Sequence, residues 1–100
     1  MDKLVRDRIP EIIRENGEEP ITEQVEDQEV LPYLVDKVEE EAEEFVESQE
    51  IEELADLLEV IERFLELEGA SREELERLKE KKNEERGGFE DNIILKDVVE

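Results

Sequence analysis

Apolar residues recur along this chain at helical spacing, and the positions between them are filled mostly by acids. Leu31, Leu34, Val35, Val38, Ala42, Phe45 and Val46 form one stripe, which predicts a helix from near Asp27 or Pro32 to about Glu47. Pro32 is compatible with the first turn only. A second and broader apolar set, Ile51, Leu54, Leu57, Leu58, Val60, Ile61, Phe64, Leu65 and Leu67, predicts a helix over 51–68 that Gly69 ends. A helix apolar over that much of its circumference belongs at the centre of a bundle, covered by several neighbours. A short helix is expected over 9–15, with Pro10 in its first turn and Gly17 as its stop. Ser71 and Glu74 form a capping box that opens a fourth helix, reaching about Glu85, with a thin stripe of Leu75 and Leu78 before Gly87 and Gly88.

The remaining segments carry weaker signals. Residues 18–26 read as a loop or a short edge strand, and the tail from Phe89 to Val99 holds Ile93, Ile94 and Leu95, which suit a short strand or a wrap across a partner. The chain of 100 residues is expected to be a single all-α domain, 1–100, with a short N-terminal helix and an extended C-terminal tail. One chain of this size cannot cover the 51–68 helix on every side, so a helical bundle completed by oligomerisation, as a homodimer or homotetramer, is expected.

Charge changes the picture from fold to function. The net charge is -22, which disfavours nucleic acid as a partner. Between residues 15 and 76 only Lys37, Arg63 and Arg72 are basic; Lys3, Arg6, Arg8 and Arg14 lie before that stretch, and Arg77, Lys79, Lys81, Lys82 and Arg86 after it. An acidic middle between basic ends suits a site that holds metal and phosphate together. As plain surface charge, Lys3, Arg6 and Arg8 would pair with the acidic middle. With no Cys and no His, imidazole and thiolate chemistry are excluded, and any reaction must use carboxylates, Lys, Arg, Tyr or a metal. No apolar run has the length of a signal peptide or membrane span, so a cytoplasmic protein away from membranes is expected.

The candidate chemistry is concentrated in Glu40-Glu41-x-x-Glu44 and Glu53-x-x-Asp56. Residues three apart on a helix lie about 60° apart around its axis, so each pair can aim two carboxylates at one point. Two such helices facing each other would make a site for one or two hard cations of the Mg2+ type. Glu53 falls between Leu57 and Val60 on the helical wheel, where a carboxylate is costly without a compensating cation or donor. Lys37, Glu40, Glu41 and Glu44 are expected on a flank beside the core stripe, whereas Glu39, Glu43 and Glu47 read as a solvated face. Lys81, Lys82 and Arg86 suit either a favourable helix C-terminus or phosphate capture, and Asn83 can hydrogen-bond a base or sugar.

This constellation resembles the all-α nucleoside triphosphate pyrophosphohydrolases, the MazG-like and phosphoribosyl-ATP pyrophosphohydrolase-like superfamily, whose pattern is E-E-x-x-E followed by E-x-x-D on the next helix. Lys3-Leu4-Val5-Arg6-Asp7-Arg8-Ile9-Pro10 and Glu85-Arg86-Gly87-Gly88-Phe89 are similar to a small MazG-like subgroup. The resemblance implies Mg2+, or Mn2+ in its place, on Glu41, Glu44, Glu53 and Asp56, with Glu40 in support. It implies hydrolysis of the α–β phosphoanhydride of a nucleoside triphosphate, with Glu41 or Glu44 as base. Lys37, Lys81, Lys82 and Arg86 would bind substrate phosphates, and Asn83 another part of the substrate. Only eight residues separate Glu44 from Glu53, fewer than is usual in the superfamily, so the turn at Ser48-Gln49 must be tight. A phosphoribosyl-ATP pyrophosphohydrolase and a non-catalytic acidic interaction module are the two rival readings; the second leaves Glu53 without an explanation.

Overall fold

The computed structural model describes residues 2–100, which form four α-helices and no strand: α1 (Ile9–Glu15), α2 (Asp27–Ser48), α3 (Ile51–Leu67) and α4 (Arg72–Arg86). Each boundary has a local cause. Pro10 stands in the first turn of α1, and Gly17 follows the helix at φ 85°, a backbone region open to glycine at little cost. Gly69 does the same after α3 at φ 71°. Ser71 caps α4 by accepting the Glu74 N–H at 3.1 Å.

Helix α2 begins at Asp27 and runs through Pro32. The missing N–H of Pro32 deprives the Gln28 carbonyl of its ladder bond, and Gln28 is exposed, so water can take that place. Its first turn carries Asp27 and Glu29, which complement the positive end of the helix, but its last turn has no base.

The chain falls into two compact units, one reaching Gly69 and the other Ala70–Glu100. In the first, α2 and α3 form a hairpin joined by Gln49 and Glu50. The turn is as short as the Glu44 to Glu53 spacing requires. Gln49 adopts the left-handed conformation at φ 56°, and its N–H closes on the Phe45 carbonyl at 2.6 Å. Ser48 Oγ accepts the Glu50 N–H at 3.2 Å. At the other end of the hairpin Arg63 reaches Asp27 at 3.5 Å.

The buried apolar centre of this hairpin is narrow: Leu34 is 1% exposed and Val60 9%. The breadth of apolar positions on α3 had predicted burial on most sides. Instead Ile51 is 83% exposed, and Leu54 and Leu58 also face outward, because α2 covers one side of the helix only. In the second unit α4 stands with Leu75 and Leu78 exposed. The strand suggested for Ile93, Ile94 and Leu95 does not form; these residues have no regular structure and are exposed, as are residues 21–26. Without a neighbouring strand an isolated extended segment has no ladder to join.

Truncating Leu34 to alanine is expected to cost about 2–5 kcal/mol, because the cavity it leaves lies at the most enclosed apolar position among the described residues. Leu78→Ala should change stability by less than about 0.5 kcal/mol. Urea unfolding followed by circular dichroism compares the two.

Candidate metal centre

Two offsets on the helical wheel decide where the carboxylates lie. Glu41 comes seven residues after Leu34, and Glu53 seven before Val60; seven residues are two turns less about 20°. Each acid therefore stands nearly in line with the buried apolar residue of its own helix. Because the helices are antiparallel across a short turn, both acids lie on the turn side of those residues. The α2–α3 seam is thus apolar at one end and acidic at the other.

This placement corrects the expectation that Glu41 occupies a flank beside the stripe. Glu41 lies within the seam, only 7% exposed, and is the buried acid among the described residues. Glu53, expected at a position costly for an uncompensated carboxylate, is half-buried, as is Asp56. Glu44 is exposed and Glu40 half-buried. The solvated face assigned to Glu39, Glu43 and Glu47 is seen as such.

Five carboxylates converge here in two overlapping sets. Oxygens of Glu41, Glu53 and Asp56 lie within 4.8 Å of one another, and so do oxygens of Glu40, Glu41 and Glu44. Oxygens bound to one octahedral Mg2+-sized ion lie about 2.9–4.1 Å apart, so small side-chain shifts bring either set into coordination range. Glu41 belongs to both sets. Its Oε1 is 3.6 Å from Lys37 Nζ, whereas its Oε2 is buried and has no hydrogen-bond partner. A buried carboxylate oxygen left unpartnered among further carboxylates is a place that a cation or a proton would stabilise.

The charges respond to that crowding. Burial raises the Glu41 carboxyl above the usual glutamate range; the adjacent Glu44 carboxyl raises it further, by favouring a shared proton and by repulsion, and Lys37 only partly opposes this. Glu53 is raised too, first by desolvation and then by Glu44, Asp56, Glu52 and Glu50. Glu40 goes the other way. Burial would raise it, but hydrogen bonds and charge from Lys37 at 3.1 Å and Lys3 at 3.3 Å outweigh that and hold it low.

Lys37, expected to bind phosphate, is largely buried and directs its ammonium to Glu40 and Glu41. Lys81, Lys82, Asn83 and Arg86 all lie exposed on the last turns of α4, in the second unit. Two residues absent from the sequence-based site do reach the carboxylates: Arg6 Nη2 lies 2.7 Å from Asp56 Oδ1, and Lys3 Nζ 3.3 Å from Glu40 Oε1. The signal available for them was the expected pairing of the N-terminal bases with the acidic middle. It lacked a register, since a non-helical segment has no fixed periodicity.

No protein family, curated protein or solved structure matches this chain. Among the described residues, no helix is long and apolar enough to cross a membrane.

The raised carboxyls have a measurable consequence. Glu41 and Glu53 bind protons more tightly folded than unfolded, so their contribution to stability is full below the unfolded value of 4.5 and is lost as pH rises through the higher folded values. Glu40 contributes in the opposite sense, above 4.5, and loses its contribution as pH falls through its lowered value. Metal-free protein is therefore expected to melt at a higher temperature near the ordinary glutamate value than at neutral pH. Glu41→Gln should remove much of that dependence, and thermal melts of both proteins in chelator across the acid range test it.

Proposed function

We propose that this chain is a divalent-metal-dependent nucleotide pyrophosphohydrolase of the MazG-like kind, hydrolysing the α–β phosphoanhydride of a nucleoside triphosphate to a monophosphate and pyrophosphate. The observation that carries the reading is the unpartnered Oε2 of Glu41, a buried residue of the α2–α3 seam whose carboxylate clusters with those of Glu53 and Asp56. The order Glu40-Glu41-x-x-Glu44 then Glu53-x-x-Asp56 supports the superfamily assignment.

Glu41, Glu44, Glu53 and Asp56 are the ligands in this reading, and Mg2+ is the ion that suits an all-oxygen site shared with substrate phosphates. Bound there, it would neutralise phosphate charge and lower the pKa of a water molecule. The water oxygen forms a bond to phosphorus in line with the anhydride bond, which breaks, and the bridging oxygen leaves with pyrophosphate. Glu41 or Glu44 takes the proton as general base. Lys37 holds Glu40 and Glu41 in place during this step.

Pyrophosphate release across common and modified nucleoside triphosphates and phosphoribosyl-ATP tests the reaction and its substrate together. Turnover that requires Mg2+ is expected on nucleoside triphosphates. Turnover on phosphoribosyl-ATP alone would move the assignment to that substrate, and none on any compound would leave an acidic interaction module. Glu53→Gln and Asp56→Asn should reduce turnover by about a thousandfold or more while leaving helicity intact, whereas Glu43→Gln and Glu47→Gln should stay within about threefold of wild type.

A homodimer or larger assembly is part of the same reading. Val35, Val46, Ile51, Leu54 and Leu58 are exposed on the two hairpin helices, and a second copy of the hairpin presents the apolar complement they lack. Sedimentation at micromolar concentration is expected to give at least twice the chain mass of 11.8 kDa. A folded monomer would contradict it.

A further inference from the structure

The N-terminal segment before α1 straddles the acidic end of the seam. Arg6 reaches Asp56 on α3, and Lys3 reaches Glu40 on α2. The segment is tied down immediately afterwards: the Arg6 carbonyl accepts the Ile9 N–H at 3.0 Å, which starts α1, and Ile9, Pro10 and Ile13 of that helix are half-buried. Arg6 is therefore aimed by a turn and a packed helix. The two basic side chains remain more than half exposed, so a ligand from solvent can reach them.

Asp56 is claimed twice. Its carboxylate holds the Arg6 guanidinium at 2.7 Å and also belongs to the cluster with Glu41 and Glu53. A guanidinium bonded to a carboxylate that also binds a divalent cation stands next to that cation and is repelled by it. Phosphate oxygens arriving with the cation offer the guanidinium a bidentate anionic partner at the same place, and the Lys3 ammonium a point-charge contact.

We propose, on the basis of the metal-dependent reading above, that Lys3 and Arg6 form a phosphate-binding site at the edge of the carboxylate cluster. Without metal they serve Glu40 and Asp56 as internal counter-ions; with metal bound they pass to the phosphates of a metal-bound polyphosphate. The exchange gives metal and anion a common effect on Arg6. The first competes with it for Asp56, and the second accepts it.

Titration calorimetry on the full chain tests this with two probes, Mn2+ alone and inorganic pyrophosphate in saturating Mg2+. Arg6→Gln removes a competitor for Asp56 and a ligand for phosphate at once. It is expected to bind Mn2+ about two- to fivefold more tightly than wild type. The same variant should bind pyrophosphate about tenfold or more weakly. Lys3→Gln should move both affinities in the same directions by less. A variant that is only structurally damaged would lose affinity for both probes, and that result overturns the proposal, as does pyrophosphate affinity equal to wild type. Wild-type protein that binds Mn2+ and pyrophosphate while Arg6→Gln matches it leaves the metal centre standing and removes this role for Arg6. Wild-type protein that binds no Mn2+ removes both.

Discussion

The burial of Glu41 is the constraint on which the rest of this structure depends. A carboxylate 7% exposed in the seam of a helical hairpin costs stability unless its oxygens are bonded, and here only one of them has a cation nearby. The hairpin carries acids along the last turns of α2, where the helix end is already negative and no base stands in the last turn. Glu40 and Glu44, four residues apart on that helix, repel each other as well. All of these costs have the same sign, and a divalent cation bound there would relieve all of them together.

The surrounding bases divide according to their reach. Lys37 lies on the same helix as Glu40 and Glu41 and is itself largely buried, so it acts as a fixed internal partner. Arg6 and Lys3 come from a separate segment and remain half in solvent. A fixed partner keeps Glu40 ionised and oriented. Exposed partners contribute little to stability and can be exchanged for a ligand without loss of fold. The apolar end of the seam, Leu34 and Val60, holds the helices at the separation that brings the two acidic pairs face to face.

Local signals in the sequence were strong wherever the chain determines itself over a few residues. Pro10, Gly17, Gly69 and the Ser71 capping box set helix ends that the structure keeps to within a residue or so, and the tight turn follows from the Glu44 to Glu53 spacing. The convergence of Glu40, Glu41, Glu44, Glu53 and Asp56 was legible from spacing on two adjacent helices. Glu41 is the buried acid because it stands seven residues from Leu34 on the face turned to α3, whereas the broader apolar set around Glu53 points to Glu53 instead. Breadth misled because it does not distinguish residues facing α2 from Ile51, Leu54 and Leu58, which face away from it. The contacts of Arg6 and Lys3 lay beyond periodicity altogether, since 50 residues separate Arg6 from Asp56 and nothing in a non-helical segment fixes its direction.

The metal reading of the Glu41 cluster requires that it exchange protons for a cation. At a pH slightly above 4.5, the ordinary glutamate value, the raised carboxyls of Glu41 and Glu53 retain protons that a metal must displace. Calorimetric titration with Mn2+ in two buffers of different ionisation enthalpy counts those protons directly. The account predicts net proton release on binding, reduced when Glu41 is replaced by glutamine. Mn2+ binding with no proton release, or no binding at all, would contradict it.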